Sequence, residues 1–258
     1  MRRAPRSIVA LTTLGFITMH VPVLVLAVFS FNRSRYGASW EGFTLDWYRR
    51  LAERPDILAA LKVSLVVGGL STAIATTIGT LFAVGMTRGP RRGAAWLESL
   101  VLLPIVTPEI VMGIGLLALF ATLGIALGIT TIVIAHVAFS IPFVIVVVRA
   151  RLAGMDRTLE EAAMTLGATG RSAFLKVTLP LLWPGIIAAA LLAFTMSIDD
   201  FVITFFVAGP GSSTLPLVIY AMARRAVEPS INAVSTLLVA ASTLLILGFD
   251  RLSPRRGS

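Results

Sequence analysis

The stretch Arg157–Gly185, "RTLEEAAMTLGATGRSAFLKVTLPLLWPG", joins two long apolar runs of the chain. Thr158 and Glu161 have the spacing of a capping box, in which the hydroxyl caps a helix and the carboxylate returns to the threonine amide. Gly167 is suited to end that helix in the left-handed conformation. A second short helix is predicted to follow and to stop at Pro180. The stretch therefore predicts a helical hairpin between two membrane spans.

The composition around this hairpin is that of an integral membrane protein. Of 258 residues, 57% are hydrophobic and 14% are charged, and the mean hydropathy is +0.90. The formal charge of +9 would suit nucleic acid, but no sustained basic tract is present. Arginines that set membrane orientation explain the charge better, so we expect no nucleic-acid partner. The absence of cysteine excludes disulfides and thiol catalysis.

Six apolar runs have the length of about 20 residues that a bilayer crossing requires. They cover residues 8–30, 59–86, 97–123, 128–150, 183–207 and 231–249, each to within a few positions. An even number of spans puts both termini on one side, and the larger share of basic residues makes that side the cytoplasm. We therefore predict one all-α transmembrane domain over residues 1–258, with a retained first span and a cytoplasmic loop at 151–182.

The cytoplasmic loop resembles a known signature. Glu161, Ala162 and Ala163 are followed after three residues by Gly167 and after nine more by a Val-Thr-Leu-Pro run that ends at Pro180. This pattern is similar to the EAA signature of permease subunits from binding-protein-dependent ABC importers. The resemblance implies the type I importer permease fold and assigns these five residues to coupling helices that contact a cytoplasmic ATPase. Periodicity alone fits an amphipathic hairpin resting on the bilayer equally well.

The chain itself is not expected to be an enzyme. A P-loop places a lysine of a Gly-Lys-Ser/Thr run against phosphates, and the two lysines, Lys62 and Lys176, lie in no such run. We expect no cofactor and no metal site in this chain. The resemblance implies that ATP and Mg²⁺ are bound by a partner ATP-binding subunit dimer.

Glu109, Asp199 and Asp200 lie well inside the predicted spans. A charge at the bilayer centre costs about 2.5–3.5 kcal/mol, so these acids should face protein or water. Each is either a structural acid, hydrogen-bonded or capping a broken helix, or part of a path for a cationic solute. The rise per residue puts Glu109 near the midplane and Asp199 in the outer third, which predicts an acidic mouth above a deeper acidic site. Adjacent helical residues diverge by about 100°, so the two aspartates should differ in role.

Other intramembrane residues predict local features of the helices. Pro104, Pro108 and Pro142 are expected to bend their helices around a pathway, because proline removes a backbone donor. Gly113 and Gly115 would allow close helix or ligand approach. His136 is interpreted as a hydrogen-bonded structural residue, with a proton relay as the less favoured alternative.

Two further stretches narrow the resemblance to spermidine/putrescine importer permeases. They are "PIVTPEIVMGIGLLALF" at 104–120 and "SIDDFVITFFVAGPGSSTLPLVIYAMARRAVEPSINAVSTL" at 197–237. The resemblance implies polyamine uptake across a bacterial inner membrane, with a second permease subunit, a dimeric ATPase and a periplasmic binding protein as partners. The family often has aspartate where Glu109 stands, which keeps the charge but changes its reach by one methylene.

Alternatives remain open at this stage. Permeases for iron(III), aminoalkylphosphonates or other small solutes share the loop signature. A proton-coupled secondary transporter or a channel could also use intramembrane acids, but neither explains the hairpin. An intramembrane enzyme could pair two aspartates as acid and base, yet neighbours on one helix point apart.

Overall fold

The computed structural model describes residues 5–34, 39–88, 94–225 and 229–252, which are almost entirely helical. Their one β-type pairing is an isolated antiparallel bridge between Asn32 and Phe43. The helices are α1 (Arg6–Phe29), α2 (Asp46–Ala52), α3 (Pro55–Arg88), α4 (Ala94–Val106), α5 (Glu109–Thr122), α6 (Ile129–Ala153), α7 (Thr158–Thr165), α8 (Gly170–Ala173), α9 (Leu179–Asp199), α10 (Val202–Val207), α11 (Leu215–Arg225) and α12 (Ser230–Leu252). The chain forms two compact units, one of residues 1–58 with 218–244 and one of residues 59–217 with 245–258.

In the first unit, the loop after α1 is organised by Asn32. Its side-chain amide donates to the carbonyl of Ser39, and its side-chain oxygen accepts from the amides of Ser34 and Glu41. The indole N–H of Trp47, on α2, donates to the backbone carbonyl of Asn32 at 2.8 Å. These bonds fix the loop against α2, whereas the apolar side chains of α1 are exposed along its length and require lipid or protein cover.

In the second unit, α6 is the central helix and packs mainly against α9. A helix that is apolar all round belongs in the interior, and α6 has this character. Two buried clusters surround it: Val67, Phe120, Ile132, Val133, Ala135, Phe139, Ile203 and Val207 at one level, and Ala83, Val144, Ile145, Val148, Leu152, Leu182, Ala189 and Ala193 at the other.

Four helices of the described residues are long and apolar enough to cross a membrane. They are Ser7–Phe29, Pro55–Arg88, Ile129–Ala153 and Gly170–Asp199, and a fifth span is counted if the bent pair formed by α4 and α5 is one span. The apolar part of α12, Ser230–Leu245, is shorter than these helices. The count of six spans and the orientation of the termini stay predictions.

The third predicted span, 97–123, is wrong as a continuous helix. Its two halves, Glu98–Val106 and Glu109–Thr122, meet at an angle of 112°. Pro108 has an extended backbone with φ −56° and ψ 133°. Because proline lacks an N–H and disfavours the helical conformation of the preceding residue, the helix breaks at this point. The predicted bend at Pro108 is therefore confirmed, and Glu109 becomes the first residue of a helix.

The fifth predicted span, 183–207, is also broken. Helix α9 ends at Asp199, Asp200 has an extended ψ of 125°, and α10 begins at Val202. Helix α10 then packs against α5. The short helices that follow the two breaks therefore lie together in the second unit.

Candidate functional site

The two helix breaks bring the predicted acids to one cavity. Glu109, Asp199 and Asp200 all line a cavity of about 340 Å³, with Phe139 and Thr195 among its other walls. The prediction of an acidic mouth above a separate deeper site is therefore wrong. Depth along straight helices does not apply here, because α5 starts at Glu109 and α9 ends at Asp199.

Asp200 is a structural cap. Its Oδ2 accepts from the backbone amide of Thr204 at 2.8 Å and from the Thr204 hydroxyl at 2.6 Å, and its Oδ1 accepts from the amide of Ile203 at 3.3 Å. These donors belong to the first turn of α10, where amides have no partner within the helix. Asp200 is only 9% exposed, so its carboxylate is committed to holding the break.

His136 is the partner that the sequence did not reveal for Asp200. Its ring is fully buried, with Nε2 at 3.2 Å from Asp200 Oδ2 and 2.9 Å from Thr204 Oγ1. Its Nδ1 lies 2.6 Å from the hydroxyl of Ser197, which is 3.1 Å from the hydroxyl of Ser71. The interpretation of His136 as a hydrogen-bonded structural residue is confirmed. The sequence contains one signal that could have predicted this contact: a single histidine in the fourth predicted span and an acid without a basic partner in the fifth.

Asp199 and Glu109 differ from Asp200 because both are exposed. Neither carboxylate forms a hydrogen bond or ion pair with another described residue, and no lysine or arginine is among the residues that line their cavity. Glu109 begins α5, where the helix dipole favours a negative charge. Two unpaired carboxylates on one cavity can bind a cation.

Close packing beside the cavity depends on Gly113. A Cβ at this position would lie 2.6 Å from Cδ2 of Phe206, so glycine lets α10 approach α5. The prediction of close approach is confirmed at Gly113. At Gly115 an added Cβ would meet nothing within 4 Å.

Helix α7 is the first helix of the predicted hairpin, and Gly167 terminates it. The glycine has φ +92°, in the left-handed region. Its amide bonds to the carbonyl of Met164 and the amide of Ala168 bonds to the carbonyl of Ala163, both at 3.0 Å. This pair of bonds is the Schellman motif, so the predicted role of Gly167 in ending the helix is confirmed.

The predicted capping box is wrong. Thr158 is the first helical residue rather than the cap, and its amide donates to Asp156 Oδ1 at 2.9 Å. That backbone hydrogen bond is the largest influence that lowers the pKa of Asp156. The amide of Thr158 is therefore satisfied without Glu161, which is exposed.

The prediction that Pro180 stops a second short helix is also wrong. After α8, residues Phe174–Thr178 form a π-helical segment that leads directly into α9. Pro180 lies in the first turn of α9. Proline is tolerated in a first turn, and the widened π segment before it removes the need for its missing N–H.

Glu160 joins α7, the first helix of the hairpin, to the π-helical segment and to α3. The Thr178 hydroxyl donates to Glu160 Oε2 at 2.6 Å, and Arg88 donates to the same oxygen and to Thr178 Oγ1. Arg88 also lies over the ring of Phe174 at 4.8 Å. Burial raises the pKa of Glu160, but the hydrogen bonds from Thr178 and Arg88 outweigh it, so the net shift is downward. The sequence did not predict this contact, because Arg88 is distant along the chain.

Most of the predicted coupling residues lie at the surface of the hairpin. Glu161, Ala162, Gly167 and Pro180 are exposed, and Ala163 is half-buried. Leu166, beside them, is 88% exposed. Leu159 and Met164 of α7 are exposed as well, and exposed apolar residues that are grouped in this way indicate contact with another protein or with lipid.

Known proteins are similar to this chain in sequence and in fold. Residues 75–256 match the family described as "Binding-protein-dependent transport system inner membrane component". The chain is 40% identical to the spermidine/putrescine transport system permease protein PotC of Escherichia coli K12, over 90% of each chain. It is also 40% identical to the putrescine transport system permease protein PotI of the same strain, over 96% of this chain and 89% of PotI.

The fold is also found in a solved structure of a bacterial ABC transporter that imports the acidic polysaccharide alginate. One chain of it superposes with a TM-score of 0.77 at 16% identity, covering 98% of this chain and 96% of that chain. The all-helical fold is thus that of type I ABC importer permeases. The relatives are transport permeases and not ATPases. The chain therefore belongs to the binding-protein-dependent transport system inner membrane components, the permease subunits of ABC importers.

Proposed function

We propose that this chain passes putrescine or spermidine across a bacterial inner membrane. The observation that carries the proposal is the single cavity lined by Glu109 and Asp199, two exposed carboxylates without a partner among the described residues. Polyamines are di- or polyammonium ions, and unpaired carboxylates favour a cation. The names of PotC and PotI support the same cargo.

The proposed assembly has four kinds of component. A second permease subunit pairs with this chain, and a periplasmic binding protein delivers the solute to the pair. An ATP-binding subunit dimer, which binds ATP and Mg²⁺, supplies the energy from the cytoplasmic side. In this arrangement the chain is one transmembrane domain with six spans and both termini in the cytoplasm.

Glu161, Ala162, Ala163, Gly167 and Pro180 are proposed to contact the ATP-binding subunit. Their exposure and the exposed Leu166 support this assignment. We expect Gly167→Asp to leave the protein in the membrane but to uncouple transport from ATP hydrolysis, because a side chain at φ +92° strains the helix end. Gly170→Asp, at a helical glycine of the same hairpin, is the control. Normal uptake by Gly167→Asp would contradict the assignment.

Other cargoes of the same family have less support. Iron(III) would use carboxylate oxygens, but the described residues contain no group of three or more His, Cys, Asp or Glu side chains that could hold a metal ion. Aminoalkylphosphonates carry negative charge, which two carboxylates repel. The fold does not select the cargo, since the alginate importer shares it. The exposed hairpin favours an ATP-driven importer over a proton-coupled transporter.

The test is uptake in proteoliposomes that contain the complete importer and its binding protein. Labelled putrescine and spermidine should accumulate only with ATP and the binding protein, and unlabelled aminoalkylphosphonate or iron(III) should not compete. Accumulation of neither polyamine would overturn the proposed cargo.

A further inference from the structure

A second cavity, of about 650 Å³, lies between α3 and α9. We call it the threonine groove. One wall carries Thr72, Thr76 and Thr80 of α3, and the other carries Ile187, Ala190 and Phe194 of α9. The wall of α9 is apolar, whereas the wall of α3 carries three threonines spaced four residues apart.

The three hydroxyls of this groove have no hydrogen-bond partner among the described residues, although their oxygens are buried. Thr76 as a whole is only 8% exposed. A helical threonine commonly bonds to the carbonyl four residues earlier. Thr77 and Thr87 of the same helix do so, at 2.8 and 2.7 Å. Thr77 also lines the groove, so the missing backbone partner, and not the position alone, distinguishes Thr72, Thr76 and Thr80 from it.

Leaving a buried hydroxyl without a partner is unfavourable. Hydroxyl and methyl exchange places when threonine rotates about χ1 among its staggered positions, so each hydroxyl can turn toward the cavity. A ligand that brings hydrogen-bond donors into the groove would satisfy all three oxygens. The groove has the features of a binding site for a donor-rich, partly apolar molecule.

The spacing of the hydroxyls fits an aminobutyl group. Residues four apart on a helix differ by about 6 Å along its axis. The nitrogens of extended 1,4-diaminobutane are separated by five single bonds of about 1.5 Å, which puts them roughly 6 Å apart in a zigzag chain. Successive threonines can therefore accept from successive ammonium groups, while the methylenes lie against Ile187 and Ala190.

We propose that the threonine groove is the inward segment of the polyamine path, an inference that rests on the proposed function. Phe194 lines the groove, and the next residue of α9, Thr195, lines the acidic cavity. The cation thus meets carboxylates first and neutral hydroxyls next. A path must bind its ion strongly enough for entry and weakly enough for release. Neutral hydroxyls below two carboxylates provide that decrease in affinity.

The test replaces the three groove threonines together by valine in the complete importer in proteoliposomes. We expect uptake of labelled putrescine and spermidine to fall about tenfold, because each hydroxyl lost removes a hydrogen bond to an ammonium group. ATPase activity stimulated by the binding protein should remain within about twofold of wild type. The melting temperature should not fall, since valine removes an unsatisfied hydroxyl. The triple serine variant should restore uptake, and Thr13→Val, at an exposed threonine of α1 whose hydroxyl bonds to the carbonyl of Val9, should leave it unchanged.

Wild-type uptake by the triple valine variant would overturn the groove inference. Loss of uptake that triple serine does not restore would also overturn it, because shape rather than the hydroxyl would then matter. The proposed function and the groove inference are contradicted by different results. If the wild-type importer accumulates no polyamine, the cargo is wrong, whereas normal uptake by the valine variant alone leaves the cargo intact.

Discussion

Two pairs of adjacent acids, Glu160–Glu161 in the hairpin and Asp199–Asp200 at the end of α9, share one arrangement. In each pair one acid turns inward. Glu160 is held by Arg88 and Thr178, and Asp200 is held by His136 and the first turn of α10. The neighbouring acid in each pair is exposed.

Within each pair, one acid has a structural role and the other is available for contact with a molecule outside this chain. A carboxylate with several hydrogen-bond donors holds helices in place, whereas its exposed neighbour is available to a ligand. In the hairpin the outward acid faces the proposed ATP-binding subunit. At α9 the outward acid faces the proposed solute.

The largest effect is expected for Asp200, the hydrogen-bonded acid of the Asp199–Asp200 pair. Asp200→Ala leaves His136 and the amides of Ile203 and Thr204 without their acceptor, which should cost about 3–5 kcal/mol of unfolding free energy. Asp199→Ala should change stability by less than about 0.5 kcal/mol, because its side chain is exposed and unpaired. Thermal unfolding of both purified variants in one detergent measures the contrast. Equal melting temperatures would remove the distinction between the two aspartates.

The hairpin pair should show a smaller contrast. Glu160→Gln weakens the charge-assisted bonds to Arg88 and Thr178, which should reduce the stability of the hairpin by about 1–3 kcal/mol. Glu161→Gln should leave stability unchanged and should reduce transport per ATP hydrolysed. Hydrogen exchange of residues 158–178 and coupled ATPase assays measure the two effects. Faster exchange in Glu161→Gln than in Glu160→Gln would reverse the assignment.

The smallest effect concerns the pH dependence of the Glu160 tie. The folded pKa of Glu160 lies below its ordinary value of 4.5. The tie therefore contributes fully above about pH 4.5 and is lost as the pH falls through the folded pKa. The difference in hairpin protection between wild type and Glu160→Gln should be constant near neutral pH and should shrink on acidification. Exchange rates corrected for their intrinsic pH dependence measure this, and a difference that grows in acid would contradict the lowered pKa.

Local sequence was sufficient to predict α7 and its termination at Gly167, because a left-handed helix end is specified by one glycine and its immediate neighbours. Local sequence failed at Thr158 and Pro180. An aspartate two residues earlier took the amide of Thr158, and a π segment accommodated Pro180. Both predictions failed because a different local arrangement satisfies the same backbone hydrogen-bonding groups.

Long-range contacts were not predictable from the sequence. Nothing in the spacing joins Arg88 to Glu160 or His136 to Asp200, since packing of separate helices creates both contacts. The break at Asp200 was predicted only as one alternative, an acid that caps a broken helix, because apolar residues continue on both sides of it. The acids themselves were found, since a carboxylate in a lipid-length apolar run is costly unless it is satisfied or used.

Uptake of labelled putrescine by Asp199→Asn in the complete importer tests most directly whether the outward acid serves the solute. Glu53→Gln, at an exposed acid of α2's C-terminal end, is the control. The predicted result is a fall of about tenfold in uptake, corresponding to about 1.4 kcal/mol, with binding-protein-stimulated ATPase activity retained. Wild-type uptake by Asp199→Asn would contradict a polyamine path through the acidic cavity.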